Sequence, residues 1–316
     1  VALFLAQAIS VAFYVIAFAE AFKPVFTYVS LNYGYYFTSS MQYYSVSVPT
    51  MLLLTLLFLT KGADVGIKAL YGVVAILFVS ILMFFLGSTN FPVESVDFTK
   101  GISNHTSFFT VFTIIFPAFT GIAAGLGLSG DSEDPEKSLP KGTLWATVVG
   151  MVVYLFIAYK FAVSASSFDL AYNENVMADI SLWGPVVPIG LACAAISSAL
   201  GSIMIAPRTL QALGADKIFP ADSINKWFSK EKKGEPLNAA VLTCLFALVF
   251  VVIGGVDFVA EIISMFFMVT YGAICLISFL EHFAADPAYR PTFKSRWYIS
   301  LIGAVACVFL MFKMNP

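Results

Sequence analysis

Long apolar runs alternate with short polar breaks from one end of the chain to the other, and this pattern limits the fold more than any motif does. A helix needs about 17–25 predominantly apolar residues to cross a hydrocarbon core of roughly 30 Å. About nine runs meet that length, at 1–22, 44–60, 66–87, 107–128, 142–163, 185–206, 237–254, 258–280 and 297–314. Unpaired backbone amides are costly in lipid, so only helices and closed barrels cross it. The runs are too long and too uniformly apolar for barrel strands, which alternate. The expected class is an all-α membrane protein. Composition agrees, since 59% of the 316 residues are hydrophobic, 11% are charged and 32 are Phe, more than a soluble core of this size uses.

A formal net charge of −2 gives no basis for a nucleic-acid partner, which leaves the lipid bilayer and small solutes. The cysteines at 193, 244, 275 and 307 all sit in apolar runs and read as small packing residues rather than a disulfide framework. His105 and His282 lie in separate loops, and no nucleophile–base pair or metal-spaced cluster accompanies them. Neither an enzyme nor a cofactor is expected.

Most of the 17 basic residues, among them Lys61, Lys137, Arg208, Lys230 and Arg296, fall in or beside the alternate loops 61–68, 129–141, 207–236 and 281–296. That bias makes those loops cytoplasmic. The opposite side holds Lys23 and acids such as Glu94, Asp97, Glu174 and Asp179, with the glycosylation-type triplet Asn104-His105-Thr106. Glu20 and Glu261 are acids in apolar context, each placed near a membrane face where capping or solvation accounts for it.

One run is interrupted at its middle. In "FPAFTGIAAGLGLSGD" (116–131), Pro117 has no amide hydrogen, so the Thr113 carbonyl loses its helical donor, and Gly121, Gly125 and Gly127 let the backbone leave helical geometry. Two readings stand. One is a proline kink with small residues for tight packing. The other is a discontinuous helix whose upper half ends in free carbonyls and whose lower half begins with free N–H groups, placing a cation site beside an anion site.

The longer stretch "FPAFTGIAAGLGLSGDSEDPEKSLPKGT" (116–143) resembles the sixth-helix signature of the cation-chloride cotransporters, in the amino acid–polyamine–cation superfamily. "VAFYVIAFAEAF" (11–22) is similar to their third helix, "AAISSALGSIMIAPRTLQALGADKIFP" (194–220) to the eighth and its loop, and "ISMFFMVTYGAICLISF" (263–279) to the tenth. The resemblance implies the LeuT-like five-plus-five inverted-repeat fold. It also implies that residues 1–316 form one transmembrane transporter domain lacking the first two helices, the last helix and soluble tails.

The resemblance further implies ligands. Tyr14, Pro117 and Thr120 match the potassium site; Gly121, Ile122, Ala123 and Tyr271 the chloride site; Ala194, Ser197 and Ser198 the sodium site. Hard oxygens suit alkali cations and unpaired amides suit an anion. The serine pair favours sodium coupling, although helical serines also bond back to the preceding turn. The implied activity is sodium-coupled symport of chloride, with potassium as an optional third ion, across the plasma membrane, by a protein whose family forms homodimers. Two departures point to a distant member: Cys275 stands where animal relatives commonly carry asparagine, and Gly125-Leu126-Gly127-Leu128 is more apolar than their sequence. An amino acid permease of the same superfamily is the alternative, its substrate carboxylate and ammonium taking the places of chloride and potassium. The loop holding Asp131, Asp134, Lys137 and Lys141 is expected to help close an inner gate.

Overall fold

A computed structural model describes residues 1–61, 64–88, 107–121, 134–231, 235–284 and 296–314. The described elements are helices α1 (Ala2–Glu20), α2 (Lys23–Tyr33), α3 (Ser39–Lys61), α4 (Asp64–Leu86) and α5 (Phe108–Ile115), then a 3₁₀ turn (Phe116–Phe119). After these come α6 (Pro135–Ser164), α7 (Ser167–Tyr172), α8 (Val176–Asp179), α9 (Val186–Ala215), α10 (Asp222–Phe228), α11 (Leu237–Ile253), α12 (Val256–Ala284) and α13 (Trp297–Met314).

Among the described residues, six helical stretches are long and apolar enough to cross a membrane: Ala2–Tyr33, Ser39–Thr60, Pro135–Ser164, Val186–Ala215, Val256–Ala284 and Trp297–Met314. The other three expected spans coincide with shorter apolar helices, Tyr71–Leu86, Phe108–Phe119 and Leu237–Ile253. The most apolar 18-residue stretch of α6 has none of its residues buried, and Trp145, Leu155, Phe156 and Tyr159 stand exposed on it. A helix this apolar and this exposed belongs in lipid.

The sequence places a loop after residue 22, where the structure has α2. Pro24 stands in the first turn of that helix, where its missing amide costs nothing, and Gly34 ends it at φ +70°, its N–H returning to the Ser30 carbonyl at 3.1 Å. Lys23 lies 3.6 Å from Glu20 and 3.7 Å from Glu174, so Glu20 is an ion-paired residue at the helix end.

The chain divides into two compact units. One comprises Val1–Phe13, Ser107–Trp145 and Ser202–Pro316; the other comprises Tyr14–Thr106 and Ala146–Gly201. The first has a core of Phe4 and Ala8 from α1, Ala206 and Leu210 from α9, Phe228 from α10 and Ala239 from α11. Asn225 closes the loop beneath it, donating to the Phe219 carbonyl at 2.7 Å and accepting the Phe219 amide at 3.1 Å. In the same unit α12 packs along α13, where a Cβ on Gly303 would stand 2.9 Å from the Cys275 sulfur. Cys275 is thus a packing residue against a small partner, and all four cysteines are free thiols.

In the second unit α4 and α9 meet at Gly190, where an added Cβ would lie 2.6 Å from the Ser80 Oγ. The Ser80 hydroxyl also donates to the Val186 carbonyl at 3.2 Å, so absence of a side chain at 190 lets the two backbones approach closely enough for that bond. The Lys160 Nζ reaches the Gly87 carbonyl at 2.6 Å, placing its charge at the C-terminal end of α4, where the helix dipole favours it.

Candidate functional site

The interrupted run does break in the structure. Ser107 caps α5 by accepting the Thr110 amide at 3.2 Å, and after Ile115 the helix tightens into the 3₁₀ turn that carries Pro117. The Thr113 carbonyl, which Pro117 leaves without a helical donor, is supplied from elsewhere. The Ser264 hydroxyl of α12 donates to it at 2.9 Å, with Ser264 0% and Thr113 4% exposed.

Two turns further along, the same contact recurs: the Tyr271 hydroxyl donates to the Thr120 carbonyl at 2.6 Å. Both pairs are separated by 151 residues, so α12 runs beside the break in the same direction, with one register. The Tyr271 ring stacks on Phe267 at 5.7 Å between centroids and meets Phe116 edge-on at 6.5 Å, which fixes the phenol plane.

The Pro117 carbonyl accepts both the Thr120 amide at 3.2 Å and the Thr120 hydroxyl at 2.7 Å. Its two lone pairs are therefore engaged, whereas the Thr120 oxygen, acting as donor, keeps lone pairs for a further partner. Thr120 is 1% exposed. Gly121 is exposed, lacks a positive φ and, among the described residues, has no atom within 4 Å of where a Cβ would stand. Chemically the break offers a hydroxyl oxygen suited to a cation and a phenol O–H suited to an anion or carbonyl.

Pro117, Thr120, Gly121 and Tyr271 thus come together within one unit. Ile122 and Ala123 lie outside the described residues, as do Asp131, His105 and the segment from Gly125 to Leu128. Tyr14 is half-buried on α1 and belongs to the other unit. So do Ala194, Ser197 and Ser198, which share one turn of α9 and are partly buried. The hydroxyls of Ser80 and Thr209 return to carbonyls four residues earlier. Among the described residues, those of Ser197 and Ser198 make no such bond. Asp134 pairs with Lys137 at 3.1 Å in the first turn of α6, and Glu261 is exposed on α12.

Ser264 is the member that sequence reasoning missed. The signal for an orphan carbonyl at Thr113 was visible in Pro117, but nothing along the chain says which hydroxyl answers it.

A family model described as amino acid permease matches residues 1–316. The chain belongs to the amino acid permease family. Within that family it is similar to solute carrier family 12 member 2 of Mus musculus, 36% identical over 259 residues, or 69% of this chain and 21% of that protein. The human member 2 is 32% identical over 365 aligned positions, covering 98% of this chain and 30% of that protein. The human member 1 is 32% identical over 310, covering 80% and 28%. These similarities agree with the resemblance that its motifs carry, and its apolar helices are those of an integral membrane protein. The chain spans less than a third of the length of the curated relatives it matches.

Proposed function

We propose that residues 1–316 form the transport domain of a secondary symporter that carries chloride with sodium, and potassium as a third ion, by alternating access. The observation that carries this reading is the Tyr271–Thr120 hydrogen bond at the proline break. It puts a phenol donor and a buried threonine oxygen at one point in an apolar run, where an unspecialised helix would hold neither. Chloride is assigned to Tyr271 and the backbone amides of Gly121, Ile122 and Ala123, and potassium to Thr120; Tyr14 and the Pro117 carbonyl, whose lone pairs Thr120 already engages, are assigned to potassium by resemblance alone. Sodium is held by Ser197, Ser198 and the Ala194 carbonyl. The absence of back-bonding from Ser197 and Ser198 supports the last assignment, because those oxygens retain the capacity to replace water around a small cation. The LeuT-like fold with nine crossings, a plasma-membrane location, a homodimeric assembly and a purely transporting, non-enzymatic role belong to the same proposal.

A second reading is favoured by the family description itself: an amino acid permease in which the break holds a substrate carboxylate. Uptake by the full-length protein in proteoliposomes separates the two. Labelled chloride, rubidium in place of potassium, and a panel of amino acids are each offered with and without a sodium gradient. Sodium-dependent chloride uptake supports the symporter; amino acid uptake indifferent to chloride overturns it in favour of the permease.

A further inference from the structure

We infer that Ser264 is a positioning residue for solute binding: its hydroxyl holds the proline break to α12, so that Thr120 and Tyr271 meet in the right register. The inference rests on the proposed transport function for its consequence, though not for its geometry.

Hydroxyls in the described helices mostly return to their own backbone. On α12 itself, Thr270 donates to the Phe266 carbonyl at 2.8 Å, four residues earlier. Ser264 does otherwise, crossing to a carbonyl 151 residues away on a separate element. The acceptor is not arbitrary. It is the carbonyl that Pro117 deprives of a helical donor, and with Thr113 4% exposed there is little room for water to replace one. In an apolar surrounding that oxygen must be paired or the break costs free energy.

The two cross-helix bonds bracket the whole 3₁₀ turn, Ser264 before it at Thr113 and Tyr271 after it at Thr120. A turn tied at both ends cannot slide along α12. If the first tie is cut, the turn is held only at its ligand end, and the Tyr271 hydroxyl must then both anchor the backbone and serve a solute. With Ser264 in place Tyr271 is not the sole anchor of the turn, and Ser264 carries its share without touching the solute.

The test uses the full-length protein in lipid nanodiscs and proteoliposomes, comparing Ser264→Ala with Thr270→Val, whose lost bond is internal to α12. Amide hydrogen exchange is followed over Phe108–Thr120, and half-saturation is measured with labelled chloride or, where the unaltered protein takes up none, with the labelled amino acid that it does take up. Ser264→Ala is expected to speed exchange there by about 3- to 10-fold and to raise half-saturation by a similar factor, with maximal rate within about twofold. Thr270→Val should do neither. Unchanged exchange in Ser264→Ala, faster exchange with unchanged half-saturation, or equal effects in both variants each overturns the role. If Ser264→Ala does not fold, Ser264→Cys, a weak donor of nearly the same shape, should give faster exchange, and native-like exchange overturns the role. Absence of chloride uptake by the unaltered protein would end the chloride reading alone, because the exchange measurement still judges Ser264.

Discussion

The Tyr271 hydroxyl meets the Thr120 carbonyl at 2.6 Å, one residue before the glycine that follows the proline break. A solute anion that draws this phenol toward itself must compete with that carbonyl, and in doing so releases an oxygen that a cation can use. Tyr271→Phe keeps the ring stacked on Phe267 while removing the donor. We expect its half-saturating chloride concentration to rise by about 10-fold, the value of one good hydrogen bond, with protein yield unchanged. Chloride dependence of uptake in proteoliposomes checks this, and a saturation curve matching the unaltered protein would remove Tyr271 from the site.

The serine pair on α9 makes a different prediction, about the driving ion. Ser197→Ala with Ser198→Ala should weaken sodium activation of uptake by about 10-fold or more, since each hydroxyl lost leaves a small cation less well compensated for its dehydration. Chloride half-saturation at saturating sodium should move little. Sodium titration of initial rates decides between a ligand pair and a packing pair.

Packing of α4 on α9 depends on the missing side chain at 190. Gly190→Ala sets a methyl 2.6 Å from the Ser80 Oγ and 2.7 Å from its Cβ, and should destabilise the protein by about 1–3 kcal/mol through overpacking. Combining it with Ser80→Gly should restore part of that loss. Thermal unfolding of the purified single and double variants in detergent measures both effects.

Asn225 is 4% exposed and serves the Phe219 backbone in both directions, as donor and as acceptor. Asn225→Asp keeps the shape and the acceptor but turns the other oxygen toward a carbonyl. Its cost should be about 1–3 kcal/mol at neutral pH, and it should shrink on acidification, because a protonated carboxyl can donate again. A melting temperature that rises as pH falls in Asn225→Asp, relative to the unaltered protein, is the expected outcome.

The change of geometry at Pro117 was legible because proline acts through local covalent geometry: a missing amide is missing wherever the chain goes. Helix α2 was less so. Lys23–Tyr33 has only modest apolarity and no buried residue, so its helicity shows through Pro24 at its start and Gly34 at its end rather than through any apolar face. Cys275 stands out in the sequence only as a departure from the resemblance, and its packing against Gly303 depends on α13 lying alongside, which no local pattern encodes.

By itself the sequence determined that this chain lies in a membrane, that it does so as helices, and that one of those helices loses a backbone hydrogen bond at Pro117. These conclusions need only the apolarity of each run and the chemistry of single residues. Tertiary structure alone decided which groups answer that loss. Ser264 and Tyr271 are two turns apart on one helix and reach two carbonyls 151 residues away, a match that exists only once the helices share a register. Hydrogen-bond partners are set by distances of a few ångströms in space, and along the chain those distances are unconstrained until the fold is formed.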